Sequence, residues 1–170
     1  MIIFKTIIFL IIVPGSVTIL FPYLLLTSRF ELFFLDIGVF RLFGLMPIIL
    51  GVVIVLWCFW DFIFTGKGTP APINPPKEHV VKGLYQFVRN PMYLGIALVL
   101  VGEILLFQST VLFIYTLLVL SVFHLFVIFY EEPVLKDKFQ NSYRDYFNSV
   151  PRWIPNMRYL KITKKRNKIT

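Results

Sequence analysis

Long apolar runs dominate the chain, and almost all charged residues lie between these runs or near the ends of the chain. Residues 6–28 and 42–60 contain no charged residue. Each run is long enough to cross a hydrocarbon core about 30 Å thick as a helix. The pattern therefore predicts two N-terminal membrane spans. Proline in a helix interior removes a backbone hydrogen bond, so we expect the first span to bend at Pro14-Gly15 or Pro22.

Two further apolar segments, 92–107 and 111–130, are joined by the polar residues 108–110. A short polar connection between two apolar helices predicts a transmembrane helical hairpin. The first segment is short for a full span and carries Glu103, and the second carries His124. Both residues are functional candidates because polar side chains within membrane helices are costly unless they have partners.

After Tyr130 the apolar residues recur at roughly helical spacing among charged ones, which predicts an amphipathic helix at the membrane surface. We therefore predict an all-α polytopic membrane protein. It has two N-terminal spans, a transmembrane helical hairpin giving four to five membrane helices, and a C-terminal amphipathic interfacial helix. Residues 1–170 form a single membrane domain. The two spans occupy 1–64, the core 65–155 and a basic tail 156–170.

The polar stretch 82–95 lies directly between long apolar runs. Pro91 disfavours helical geometry at Asn90, so we expect one helix to end near Arg89 and another to begin at Pro91. The free backbone N–H groups of the new helix could hold an anionic group. The preceding residues 65–77 contain four prolines and two glycines, which predicts an extended loop.

Composition narrows the class of protein further. Hydrophobic residues make up 58% of the chain and the mean hydropathy is +0.79, values typical of a membrane protein. The basic residues that give the chain its net charge of +8 lie beside the apolar spans. Attraction to anionic membrane lipids therefore explains them better than nucleic-acid binding does. A single cysteine excludes a disulfide framework, and no His/Cys cluster has the spacing of a metal site.

Basic residues also indicate the orientation of the chain. They are numerous in residues 65–92 and after Tyr130, and absent from the hairpin tip. The positive-inside rule therefore places the central loop and the C-terminal segment on the cytoplasmic side.

This topology brings Glu131 and Glu132 opposite the stretch 82–95. An unpaired carboxylate there would be costly to bury, and Arg89 or a cationic ligand could partner it. His124 lies seven residues before Glu131 on nearly the same helical face. It could line a cavity above the glutamate or pair with Glu103 across the hairpin. The candidates for catalysis are therefore Arg89, Glu131 and His124. The alternatives are a structural Arg89–glutamate salt bridge and, for His124, a packing or hydrogen-bonding role, which is the more common one for a single histidine within a membrane helix.

The chain resembles the isoprenylcysteine carboxyl methyltransferase and phospholipid methyltransferase families of integral-membrane enzymes. Two motifs carry this resemblance, and a hairpin of the expected length separates them. The first motif comprises Gly83, Tyr85, Arg89, Asn90, Pro91, Tyr93 and Gly95. The second comprises Glu131, Glu132, Leu135, Phe139, Tyr143, Tyr146, Val150 and Pro151.

The resemblance implies S-adenosylmethionine as the cofactor and methyl donor, with residues 65–155 as the catalytic core. The positions that it implies for the cofactor site are Lys77, Glu78, His79, Val80, Tyr85, Asn90, Pro91, Met92, Tyr93, Glu131 and Glu132. Asn90 departs from the histidine of the family motif and cannot titrate as a base. Val127 stands where the carboxyl methyltransferases place an arginine that holds the acceptor carboxylate.

The leading functional hypothesis is therefore methyl transfer from S-adenosylmethionine to a lipid-like or small hydrophobic acceptor at the membrane–cytosol interface. Membrane lipids are the expected surroundings and partners, and no nucleic acid is expected. Two alternatives stay open. One is an NADPH-dependent reductase on the same scaffold, and the other is a non-catalytic membrane protein that retains the fold.

Overall fold

The computed structural model describes residues 2–28, 36–66 and 82–156, and no strand occurs among them. Three helical stretches are long and apolar enough to cross a membrane, Ile7–Thr27, Gly38–Phe64 and Thr110–Gln140. A shorter apolar helix, Pro91–Phe107, lies between the second and the third in the chain. The all-α membrane architecture is thus confirmed. The α-helices are α1 Ile2–Gly15, α2 Phe21–Thr27, α3 Leu45–Asp61, α4 Pro91–Phe107, α5 Thr110–Phe126 and α6 Glu132–Ser149.

The first span is continuous but irregular at the position where the prolines predict a bend. A π-helical turn, Ser16–Leu20, separates α1 from α2. It begins after Pro14 and ends before Pro22, and neither proline has an N–H to donate to the preceding turn. The Thr18 hydroxyl donates to the carbonyl oxygen of Pro14 at 2.8 Å.

The second span and the first hairpin helix pack with their backbones in close contact. A 3₁₀ turn, Gly38–Gly44, leads into α3, and a π-helical turn, Phe62–Gly66, follows it. Glycines lie two turns apart on both partners, Gly44 and Gly51 on one side and Gly95 and Gly102 on the other. A Cβ atom at Gly51 would meet the Gly95 carbonyl oxygen, and one at Gly102 would meet that of Gly44. Such close approach through small residues is typical of membrane helix pairs.

The hairpin forms where the sequence predicts it. Gln108 ends α4 in the left-handed conformation, with φ of 55°. Ser109 caps α5, and its hydroxyl oxygen accepts a hydrogen bond from the Leu112 N–H at 3.4 Å. The helix then continues through a π-helical turn, Val127–Glu131, into the amphipathic α6. α6 is therefore an extension of α5 that bends at Gln140, where φ is 43°.

Three predicted segments fall wholly or largely outside the described residues. Residues 67–81 hold most of the predicted proline-rich loop together with Lys77, Glu78, His79 and Val80, residues 157–170 hold nearly all of the predicted basic tail, and residues 29–35 follow the first span.

Candidate functional site

The polar stretch 82–95 contains the start of α4. Asn90 precedes the helix with non-helical φ and ψ of −123° and 55°, and Pro91 is the first helical residue, as predicted. The first intrahelical bond runs from Leu94 N to Asn90 O at 3.3 Å. The N–H groups of Met92 and Tyr93 therefore precede the regular hydrogen-bond ladder of α4. The helix expected to end near Arg89 is only a 3₁₀ turn, Gly83–Gln86. Gly83 has a positive φ of 56°, and a residue that precedes a proline, here Asn90, disfavours helical geometry.

Glu131 reaches this helix start from the π-helical turn that ends α5. The Tyr93 hydroxyl donates a hydrogen bond to Glu131 Oε2 at 2.9 Å. The Tyr93 ring packs against Phe123, with 4.8 Å between ring centroids. The structure thus brings together the carboxylate of the second motif and the tyrosine of the first, as the sequence predicts. π-Helical turns frequently occur at functional sites.

Glu132 has a different set of partners. Its Oε1 accepts hydrogen bonds from Arg89 Nη1 at 2.9 Å and from Arg152 Nε at 2.7 Å, and its Oε2 accepts from Arg152 Nη2 at 3.0 Å. The Glu132 and Arg89 side chains are only 6% and 9% exposed. Arg89 also lies over the Phe147 ring, 4.1 Å from its centroid. Arg89 therefore pairs with Glu132 rather than with Glu131, because successive helical residues point about 100° apart.

Residues 150–156, here called the C-terminal clasp, join the two motifs through the backbone. Arg89 N donates to Pro151 O at 2.9 Å, and Asn156 N donates to Phe87 O at 2.9 Å. The Asn90 side-chain amide donates to Arg152 O at 3.2 Å. Asn90 therefore fixes the clasp, and its amide nitrogen is not directed at the Tyr93–Glu131 pair.

Tyr85 is buried beneath the same loop. Its carbonyl oxygen accepts a hydrogen bond from the Tyr146 hydroxyl at 2.7 Å, and its ring meets Phe62 edge to face at 5.6 Å. Burial and contact with the Cys58 thiol raise the pKa of the Tyr85 phenol well above its usual range, so this group stays protonated. Tyr85 and Met92 belong to the apolar core that links α3 to α4.

His124 lies close to the site but has a partner that the sequence does not predict. Trp153 Nε1 donates to His124 Nδ1 at 3.1 Å. The alternative pair with Glu103 does not form, and Glu103 Oε2 has no hydrogen-bond partner among the described residues. The two side chains lie at different depths. Glu103 is about 6 Å along its helix from the hairpin tip and His124 about 21 Å, at about 1.5 Å per residue.

Arg152 and Trp153 are site residues that sequence reasoning does not single out. They follow the Val150-Pro151 end of the second motif, and only the fold returns them to Glu132 and His124. Val127 is fully buried at the start of the π-helical turn, so it does not line a surface that faces the bilayer.

The residues around Glu131 suit a cation. A carboxylate that accepts a hydrogen bond from a tyrosine and is flanked by aromatic rings can hold an ammonium or sulfonium group. The early N–H groups of α4 can hold a carboxylate. Within the described residues, no group of His, Cys, Asp and Glu side chains could hold a metal ion.

Comparison with known proteins supports this interpretation of the motifs. Residues 39–142 match the family model of the phospholipid methyltransferases. No curated protein and no solved structure matches the chain. The family match covers more than half of the 170 residues, including α3, the loop before α4, the hairpin and the first half of α6. With its membrane-spanning helices, the chain is an integral membrane protein that belongs to the phospholipid methyltransferase family.

Proposed function

We propose that this protein transfers a methyl group from S-adenosylmethionine to a lipid-like or small hydrophobic acceptor at the membrane surface. The observation that carries the proposal is the Tyr93–Glu131 hydrogen bond at the start of α4, in a chain of a methyltransferase family. The sulfonium cofactor would supply an activated methyl group and a neutral thioether leaving group.

The residues present fit such a cofactor. Glu131 would hold its ammonium group, and the Met92 and Tyr93 N–H groups its carboxylate. Phe123 and Tyr93 would exclude water from the sulfonium side of the site. Lys77, Glu78, His79 and Val80 remain predicted cofactor contacts, since they lie outside the described residues.

Arg89 and Glu132 contribute differently in this proposal. Their ion pair is satisfied within the protein, and it holds the clasp and α6 against the loop before α4. They would therefore position Glu131 and Tyr93 without contacting the reacting atoms. Correct positioning of the reactants supplies much of the acceleration of a methyl transfer, because the protein has little covalent chemistry to perform.

His124 is poorly placed to take a proton from the acceptor. Its Nδ1 accepts the Trp153 hydrogen bond, so the neutral ring carries its proton on Nε2. A base role at Nδ1 would require that bond to break. We further propose that the site faces the cytoplasm, on the basis of the lysine and arginine distribution along the chain.

Direct binding tests this proposal against its two alternatives. The purified protein is titrated with S-adenosylhomocysteine and separately with NADPH, and binding and thermal stabilisation are measured. We expect S-adenosylhomocysteine alone to bind and stabilise. Binding of NADPH alone would reject methyl transfer in favour of reduction, and binding of neither would favour a non-catalytic protein.

A matched pair of variants locates the binding. Glu131→Gln should weaken S-adenosylhomocysteine binding by tenfold to a hundredfold, since a hydrogen bond to a charged group contributes about 1.5–3 kcal/mol. Asp137→Asn removes an exposed carboxylate from the neighbouring helix and should leave the affinity unchanged. Unchanged affinity in folded Glu131→Gln protein would refute the assignment of Glu131.

A further inference from the structure

The C-terminal clasp brings one large aromatic side chain to the edge of the Tyr93–Glu131 pair. The Trp153 ring meets Tyr93 nearly perpendicularly, with 6.4 Å between centroids, and lies 5.9 Å from the His124 ring. Its indole N–H is hydrogen-bonded to His124 Nδ1. Trp153 thus contacts both the candidate cofactor site and the outer part of α5.

This position lies on the bilayer side of the site. His124 is seven residues before Glu131, about 10 Å deeper along the helix. It is exposed, and its helix neighbours Val122 and Leu125 are 61% and 52% exposed, as lipid-facing side chains are. Trp153 follows the end of α6 in the chain, yet it returns to His124 on α5.

A large apolar cavity elsewhere in the molecule does not connect the Tyr93–Glu131 pair with the bilayer. It has a volume of about 740 Å³ and lies along the first span against α3 and α4, between residues such as Tyr23, Val52 and Val99. Neither Tyr93 nor Glu131 lines it. Trp153, by contrast, contacts Tyr93 and is hydrogen-bonded to His124 on the exposed face of α5.

We propose that Trp153 and His124 form the wall against which the acceptor binds, beside the Tyr93–Glu131 pair and facing the bilayer. This inference rests on the proposed methyl transfer and adds the residues that select the acceptor. The indole offers an apolar face beside Tyr93, and neutral His124 offers its Nε2–H as a donor to the polar end of the acceptor. His124 is then a binding residue and not the base.

The competing role for Trp153 is that of an interfacial anchor, since tryptophan is enriched at membrane–water boundaries. An anchor would affect insertion and stability. An acceptor wall would affect the KM for the acceptor while leaving cofactor affinity unchanged. The two roles therefore differ in a measurable quantity.

The kinetic test compares Trp153→Ala and Trp153→Phe with Ile154→Ala, a 78% exposed neighbour in the clasp. The assay measures methyl transfer from labelled S-adenosylmethionine to lipid extract, and the affinity for S-adenosylhomocysteine is measured separately. We expect Trp153→Ala to raise the acceptor KM at least tenfold, Trp153→Phe to raise it less, and Ile154→Ala to change nothing. The affinity for S-adenosylhomocysteine should stay within twofold in all three variants. An unchanged KM, or an equal loss of cofactor affinity, would overturn the proposal.

A second measurement does not depend on turnover. Trp57→Phe with Trp60→Phe leaves Trp153 as the only tryptophan, because the chain has three. In vesicles of phosphatidylcholine brominated on the acyl chain near the headgroup, the fluorescence of Trp153 should be strongly quenched. Absence of quenching would overturn the bilayer-facing wall even if S-adenosylhomocysteine binds. Failure of the wild-type protein both to bind S-adenosylhomocysteine and to incorporate label, with quenching intact, would instead refute the proposed function.

Discussion

Replacement of Glu132 by glutamine should lower the free energy of unfolding far more than the loss of any surface charge. Glu132 is 6% exposed and its partner Arg89 is 9% exposed, so the substitution leaves a buried guanidinium without its counter-charge. Removing one partner of a buried pair costs about 3–5 kcal/mol. Glutamine can still offer one acceptor oxygen to Arg89, and Arg152 is 27% exposed, so water can partly solvate its guanidinium. We therefore expect a loss of about 3 kcal/mol, at the lower end of that range.

The free energy of unfolding is measured by denaturant titration in mixed micelles, with Asp137→Asn as the surface control. The double variant Arg89→Met with Glu132→Gln tests the pairing itself. Because the two residues interact directly, the double variant should lose less stability than the sum of the single losses. Additive losses, or a Glu132→Gln effect no larger than that of Asp137→Asn, would refute the reasoning.

Three further variants test other contacts of the fold. Gly51→Leu should prevent correct folding by separating α3 from α4, whereas Gly15→Ala, where a Cβ atom would have only an ordinary contact at 3.5 Å, should fold normally; equal yields of monodisperse protein would contradict this packing. Tyr146→Phe should lower the free energy of unfolding by about 1 kcal/mol through loss of the bond to Tyr85 O, and no change in a denaturant titration would argue against that bond. Tyr93→Phe should weaken S-adenosylhomocysteine binding severalfold in a calorimetric titration and lower the free energy of unfolding by about 1 kcal/mol, because Glu131 loses the hydroxyl that donates to it; unimpaired binding would count against Tyr93 as a cofactor residue.

The sequence predicts those parts of the fold that depend on local chemistry. Pro91 fixes the start of α4, and the polar residues at 108–110 mark the hairpin tip. Apolar run length identifies the first two spans, and the prolines flank the π-helical turn between α1 and α2. Each of these features depends on a few neighbouring residues, so the local pattern is sufficient to place it.

The candidate site is predicted less completely because its contacts join distant parts of the chain. The motifs identify Glu131, Tyr93 and Arg89, but they do not determine which glutamate Arg89 will pair with. That choice depends on the direction of two successive side chains after a π-helical turn, which apolar periodicity does not reveal. The return of Trp153 to His124 likewise depends on the path of the clasp after α6.

The most direct test of the central claim is methyl transfer by the purified protein in the presence of membrane lipid extract. The protein is incubated with S-adenosylmethionine labelled in its methyl group, and the label is measured in the organic phase. The account predicts labelled lipid-soluble product with the wild-type protein and a loss of at least tenfold with Glu131→Gln. Folded wild-type protein that binds S-adenosylhomocysteine but leaves all label in the aqueous phase would contradict a lipid-like acceptor. Equal activity of Glu131→Gln would contradict the site.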